Sequence, residues 1–390
     1  MNLTEAKDVL LRTHLVSLED QERASSYVME SPPGVGKSEA AFQYCGNLAR
    51  IINKPVGLVV FMLTTVTSPD VRGFMLPLKP VPGEQMQTIF SVPPWFPTIS
   101  NCYVVEPDGE WYKPGEWDGE VPEVGVLFLD EWGQADEDVK KPAAELILNG
   151  NVGTTFLPIA WRVLAAQNRM SDRSGVVREM MFTVNRRCLL PIEGSLPCWL
   201  GWVDTLAPEK QPHYLTVSFA RKHPNIVFRP TVPDGTDPFC TARSLVRMDR
   251  DLRALRSEED EDHNRMPMTD VARQVCAGWI GNGSAGQYFT WLKYADEIPD
   301  IEDIERSPAG AKLPDGRDAQ MVCAYMLTQA ITEANARNVL RYILRMVTEM
   351  QIMAVGVIIA DEKRAKLLVP HREYQTWLMA NKDKLFASQS

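Results

Sequence analysis

Apolar positions along this chain fall into two textures that change near Pro197. In the first half, short apolar runs alternate with stretches in which apolar and polar residues recur at helical spacing. The runs are Tyr27–Glu30, Val56–Leu63, Val124–Leu129, Arg162–Ala166 and Cys188–Ile192. Nearly continuous runs of this length are what strands buried on both faces of a parallel sheet require. Helical spacing covers about Leu3–Ser26, follows the first run at Glu39–Tyr44, and follows the third at about Glu137–Leu148, where Asn149-Gly150 supplies a stop. The alternation predicts a three-layer α/β unit. Beyond Pro197 the pattern predicts helices separated by loops; Glu333–Met353 reads as one periodic helix, and Val355–Ile359 as either a strand or its continuation.

Between Thr64 and Glu123 the periodicity breaks up. Ser68-Pro69-Asp70 predicts a helix start, and the alternating run around Met86–Phe90, with Pro82-Gly83-Glu84 as its turn, predicts a hairpin. The rest, with Trp111 and Trp117, reads as a long surface loop that either docks a partner or covers the core.

Composition narrows the class. Of 390 residues, 45% are apolar and 24% charged, which suits two or three globular units and excludes fibrous or wholly disordered chains. No window approaches the about 18 uninterrupted apolar residues of a membrane helix, and Met1–Asp8 lacks a signal-like pattern, so a cytoplasmic protein is expected. Seven scattered cysteines without a CxxC pair predict free thiols rather than disulfides or zinc. The five histidines are likewise dispersed, without metal-ligand spacing. A net charge of −10 argues against bulk capture of nucleic acid but leaves room for a local basic pore, for which Lys79, Lys140 and Lys141 are the candidates. The acidic run Glu258–Asp262 reads as a solvated linker or helix face.

Chemistry enters at Ser31-Pro32-Pro33-Gly34-Val35-Gly36-Lys37-Ser38, between a predicted strand and a predicted helix. Apart from Ser31 in place of the first glycine, this is the P-loop pattern G-x-x-x-x-G-K-[ST]. In that pattern the backbone of Pro33, Gly34, Val35 and Gly36 cradles phosphates, Lys37 reaches the β- and γ-oxygens, and the Ser38 hydroxyl ligates Mg²⁺. Asp130-Glu131 ends the third strand, on the sheet edge where such folds bind ligands. There Asp130 would hold Mg²⁺ through water and Glu131 would serve as general base. The same acidic pair also fits a helix N-terminal signal. Asn168, at the end of the fourth strand, is a candidate to orient the attacking water. Arg186 and Arg187, just before the fifth strand, are candidates for an arginine that reaches a neighbouring subunit's γ-phosphate, and Arg243 is a further candidate for that charge. Surface salt bridges are the alternative for all three.

In order and spacing, these residues resemble a AAA+ ATPase: Walker A at Ser31–Ser38, Walker B at Val126–Glu131, sensor 1 at Asn168, an arginine finger at Arg186 and sensor 2 at Arg243. Within that superfamily the chain most resembles the MoxR-like group, including phage and bacterial versions. The carrying residues are Pro69-Asp70-Val71-Arg72-Gly73, Pro93-Pro94-Trp95-Phe96-Pro97, Leu157-Pro158-Ile159-Ala160-Trp161 leading into Ala165-Ala166-Gln167-Asn168, and Trp199-Leu200-Gly201-Trp202. The likeness implies a P-loop domain with a parallel sheet over 1–195, bearing a helix-2 insert at about 74–94 whose tip, near Val81-Pro82-Gly83-Glu84, faces a pore. It further implies a helical lid with extended C-terminal helices over 196–390. The implied activity is Mg-ATP hydrolysis to ADP and phosphate by a homo-oligomeric ring, usually a hexamer, that remodels a protein partner, commonly one of von Willebrand factor A type. Arg187 stands where the group has an aromatic, so Arg173 is a reserve finger. The rival readings are a DNA-acting AAA+ motor or replication factor and, from Ser31 alone, an inactive nucleotide-dependent scaffold.

Overall fold

The structure, a computed structural model, describes residues 1–77, 88–172, 175, 187–262 and 264–387. Among the described residues, eleven strands and four helices build the first part of the chain. The strands are β1 (Tyr27–Ser31), β2 (Val56–Met62), β3 (Met75–Pro77), β4 (Thr88–Phe90), β5 (Cys102–Val105), β6 (Trp111–Tyr112), β7 (Val124–Asp130), β8 (Asn151–Val152), β9 (Thr155–Phe156), β10 (Trp161–Asn168) and β11 (Cys188–Pro191). The helices are α1 (Leu3–Glu19), α2 (Lys37–Ile52), α3 (Ser68–Arg72) and α4 (Glu137–Asn149).

The protein is α/β. A seven-stranded, mostly parallel sheet in the order β11-β1-β10-β7-β2-β5-β6 is followed by a helical C-terminal region. The five apolar runs read from the sequence are its five parallel strands. They are buried on both faces: Tyr27, Met29, Val126 and Phe128 pack beneath α1 and α2, while Val28, Leu127, Leu129 and Val163 pack toward α3 and α4. Two glycines shape the centre. Gly57 and Gly125 face each other across β2 and β7, and a Cβ at either would come within 2.7 Å of the Trp161 ring. The fully buried indole fills the space they leave, and its Nε1 donates to the Pro122 carbonyl at 3.1 Å.

The long-loop reading of the stretch before Glu123 is corrected. Cys102–Val105 pairs antiparallel with β2, and Trp111–Tyr112 pairs with β5, so the sheet is mixed. Trp111 packs on Phe42 with ring centroids 5.1 Å apart, and Trp117 packs edge-on to Tyr112 at 5.0 Å. Both tryptophans are half-buried against the core, which favours the covering role over docking. The hairpin expected near Phe90 is β3–β4, in the register Met75↔Phe90. At its base Gly73 has φ +86°, and a Cβ there would lie 2.1 Å from the Ser91 carbonyl oxygen, so only glycine fits. The expected tip at Val81–Glu84 and the candidate Lys79 lie outside the described residues.

Helix boundaries follow capping. Asn2 and Glu5 form a reciprocal capping box that starts α1, and the helix ends at Glu19, earlier than its polar-apolar pattern suggested. Thr67 and Asp70 start α3 in the same way. Gly150, at φ +67°, closes α4 where Asn149-Gly150 predicts a stop.

Beneath α1 lies a buried polar cluster. The Arg162 guanidinium, fully buried, donates to Thr13 Oγ1 at 2.9 Å, to the Tyr44 hydroxyl at 3.2 Å and to the Leu10 carbonyl. His14, also fully buried, lies 2.5 Å from the Tyr44 hydroxyl and 3.1 Å from the Ala160 carbonyl. Burial, reinforced by the Arg162 charge, pushes its pKa down to about 3. Above pH 6.5 His14 is neutral in both states and its full contribution is present. As pH falls from about 6.5 toward 3, the unfolded chain takes up a proton that the folded chain refuses, and stability is lost. The slope reaches about 1.4 kcal/mol per pH unit for one such histidine. The difference in thermal stability between wild type and His14→Gln is therefore expected to shift against the wild type on going from pH 7 to pH 5. A pH-independent difference would show that His14 is not held neutral.

Two compact units divide the chain: Met1–Cys198 with Pro230–Val232, and Trp199–Arg229 with Pro233–Ser390. The second is helical. In it the carboxylate of buried Asp249 accepts from the His213 backbone at 2.9 Å and from Thr216 Oγ1 at 2.6 Å, and pairs with Arg253 at 3.0 Å. The single helix expected over Glu333–Met353 is two, Ala336–Ile343 and Thr348–Ala360, and Val355–Ile359 continues the second. Glutamines satisfy the backbone freed at the break. Gln320 accepts from the Val347 N–H at 3.0 Å, and Gln351 donates to the carbonyls of Leu344 and Met346 at 3.0 and 2.8 Å. Among the described residues no helix is long and apolar enough to cross a membrane.

Candidate active site

Parallel pairing brings the chemistry together. Register along β1 and β10 sets Ser31 opposite Asn168, and register along β2 and β7 sets Met62 opposite Asp130. The strand ends carrying the P-loop, the acidic pair and the candidate sensor thus share one edge of the sheet, where α/β folds bind ligands.

The P-loop leaves β1 at Ser31 and reaches α2 through two left-handed glycines, Gly34 at φ +78° and Gly36 at φ +105°. A larger residue at either would be strained. Pro33 and Val35 are half-buried beside them, and Val35 joins the core under α1. The loop feeds the N-terminus of a 16-residue helix, whose first N–H groups have no partners within the helix and whose dipole favours an anion. Glu39 in the first turn of α2 is the one acidic residue there, and it is exposed.

Lys37 Nζ donates to Asn168 Oδ1 at 2.9 Å, to Ser31 Oγ at 2.9 Å and to the Ser31 carbonyl at 3.3 Å. Ser31 is fully buried, and its own hydroxyl donates to the Pro32 carbonyl at 2.8 Å, which leaves its lone pairs facing the ammonium. The departure from glycine therefore adds an acceptor for Lys37. Across the cleft Ser38 Oγ donates to Asp130 Oδ2 at 2.9 Å. A serine hydroxyl and a carboxylate in contact, both half-buried, are hard oxygen ligands of the kind Mg²⁺ takes. The donor set fits a magnesium-bound polyphosphate.

Glu131 is the strained residue of the site. Its φ of +58° is left-handed, a conformation that costs a non-glycine residue roughly 1–2 kcal/mol. Its backbone N–H donates to Asp130 Oδ1 at 2.9 Å, and its carboxylate accepts from Thr64 Oγ1. Backbone strain held by specific bonds at a strand end is characteristic of a functional position.

Three partners escape a reading of the sequence. Thr64, just past β2, holds the Glu131 carboxylate, and its only signal is the hydroxyl-rich run Thr64-Thr65-Val66-Thr67 after an apolar strand. Gln167 Nε2 donates to Glu30 Oε1 at 2.8 Å, tying the ends of β10 and β1 on the opposite face. Arg169 pairs with buried Asp172 at 2.7 Å and donates to the Pro230 carbonyl at 2.7 Å, fixing the chain directly after Asn168.

Arg187 is half-buried immediately before β11, whereas Arg186 and Arg173 lie outside the described residues. Arg243 is exposed in the first turn of the helix Ala242–Arg253, which Thr241 and Ser244 cap, in the second unit. Two of the proposed pore lysines are accounted for otherwise. Lys140 is buried and its Nζ donates to the Gly133 carbonyl at 2.7 Å, so it is not a surface charge. Lys141 is paired with Asp138 at 3.4 Å.

No family model matches the chain, and no curated protein matches it. Among solved structures, it is similar to two point mutants of RuvB from Thermotoga maritima. One is 13% identical, with 77% of this chain and 73% of that one covered at a TM-score of 0.37. The other is 12% identical, with 80% of this chain and 77% of that one covered at a TM-score of 0.38. NtrX from Brucella abortus is 14% identical, with 67% of this chain and 51% of that one covered at a TM-score of 0.35.

Proposed function

We propose that this chain is a MoxR-like AAA+ ATPase that forms a homo-oligomeric ring and couples Mg-ATP hydrolysis to remodelling of a protein partner. The observation that carries the reading is the double contact of Lys37 with Asn168 and of Ser38 with Asp130, each bridging residues far apart in sequence. In this reading Lys37 and the backbone from Pro33 to Ser38 bind the phosphates, and Ser38 with Asp130 holds Mg²⁺, the latter through water. Bound Mg²⁺ screens the charge on the phosphate oxygens. Glu131 takes the proton from the attacking water, and Asn168 orients that water. The trans finger is assigned to Arg186, with Arg187 and Arg173 as alternates, and the sensor of the second unit to Arg243.

A protein partner is favoured over nucleic acid by charge and surface. The chain is acidic, and the lysines considered for a pore are, where described, buried or ion-paired. The β3–β4 hairpin instead presents Phe74, Met75, Leu76, Ile89, Phe90 and Val92, all exposed and uncharged. These described residues suit apolar protein contacts and carry no charge for a phosphate backbone. A von Willebrand factor A-type protein is the partner expected from the resemblance.

The test is steady-state ATP hydrolysis with and without single- and double-stranded DNA at near-physiological salt. Turnover is expected, and DNA is expected to leave it unchanged within about twofold. Stimulation of several-fold would transfer the assignment to a DNA-acting motor.

A further inference from the structure

The buried lysine Lys140 sits behind the turn that carries Glu131. It lies in the first turns of α4, where its backbone N–H donates to the Asp136 carbonyl at 2.9 Å, and its ammonium crosses to the Gly133 carbonyl at 2.7 Å. Gly133 is itself buried, within the tight turn Trp132–Gln134 that begins directly after Glu131 and is closed by Gln134 N–H donating to the Glu131 carbonyl at 3.1 Å. A lysine 6% exposed is unusual, since desolvating an ammonium is expensive and its neighbourhood at a helix N-terminus is electrostatically the wrong one. An ammonium held against both costs makes a contact that an apolar side chain of the same length could not.

From this geometry we infer that Lys140 is a positioning residue for the candidate base: its ammonium anchors the Gly133 carbonyl and so holds the left-handed backbone at Glu131. Three constraints converge on that residue. Thr64 holds its carboxylate, Asp130 holds its N–H, and Lys140 holds the turn that follows it. The first two act on Glu131 directly. Lys140 acts at one remove: by holding the peptide after Gly133 against rotation, it keeps the strained φ of +58° at Glu131 from relaxing. The Lys140 contact with Gly133 includes no group assigned to phosphate binding, so loss of that contact is expected to leave nucleotide affinity unchanged.

The inference rests on the proposed ATPase reading, and its test separates the two. Lys140→Met keeps length and removes the donor; Lys140→Arg keeps the donor. The full chain is assayed for kcat with ATP and for Kd with Mg-ADP. Lys140→Met is expected to lower kcat at least about tenfold while leaving Kd within about twofold, and Lys140→Arg to recover a substantial part of the lost turnover. Should Lys140→Met not fold, Lys140→Leu, which likewise removes the donor, replaces it with the same expected split. Wild-type kcat in the donorless variant overturns the inference. So does a parallel loss of kcat and Mg-ADP affinity without recovery in Lys140→Arg, which marks a purely structural lysine. Absence of turnover in the wild type removes the ATPase reading and this inference together, whereas either overturning result in an active wild type removes this inference alone.

Discussion

Replacing Lys37 with alanine is expected to weaken Mg-ATP and Mg-ADP binding by about two orders of magnitude or more. The ammonium sits at the mouth of the P-loop with three acceptors within 3.3 Å. A phosphate chain would take at least two charge-assisted bonds from it, each worth about 1.5–3 kcal/mol. Two such bonds lost amount to a factor of roughly 10² to 10⁴ in affinity. The fold should survive, because Lys37 and Asn168 are half-buried and water can enter the space that the lysine side chain vacates. Calorimetric titration against wild type, with thermal melts of both proteins, is the measurement. Unchanged affinity in a folded variant would remove the phosphate site from Ser31–Ser38.

Glu131→Gln is expected to keep nucleotide binding and to lose turnover by about 10²–10⁴-fold, the usual contribution of a general base. The substitution is nearly isosteric. Its amide oxygen can still accept from Thr64 Oγ1, and the backbone bond to Asp130 is untouched, so the strained turn should persist. What disappears is the basic oxygen that takes a proton from water. Single-turnover hydrolysis and Mg-ADP titration on the same preparation separate the two effects. Near-normal turnover would exclude Glu131 as the base and direct attention to Asp130.

These two residues show what could be read locally. The P-loop is legible in eight consecutive residues because its backbone demands are local: two glycines tolerate left-handed φ, and a lysine and a hydroxyl follow at the helix start. The acidic pair is legible because it ends an apolar run. Their meeting is not legible in the same way. Asn168 reaches Lys37 only because β10 pairs with β1 in the register that sets it beside Ser31. The sequence spacing of 131 residues contains no trace of that register.

Ser31 stands in the sequence only as a departure from the glycine pattern; the structure adds that its hydroxyl, committed to the Pro32 carbonyl, presents its lone pairs to Lys37. Thr64 had no signal beyond its position after a strand. Lys140 had a misleading one, since a lysine beside another lysine in an amphipathic helix reads as surface, whereas the turn at Gly133 buries it.

By itself the sequence determined the five parallel strands, the starts of α1, α3 and α4 with the stop after α4, and the residue types at the candidate site. Hydrophobic period, capping and left-handed glycines act over a few residues, so the chain carries them openly. Tertiary structure alone decided that Cys102–Val105 and Trp111–Tyr112 extend the sheet as antiparallel strands, that one periodic stretch breaks into two helices around Gln320 and Gln351, and that Thr64, Arg169 and Lys140 brace the site. Each of these depends on which strand lies next to which and on what a side chain loses when it leaves water. Such terms join residues distant in sequence, and no local pattern records them.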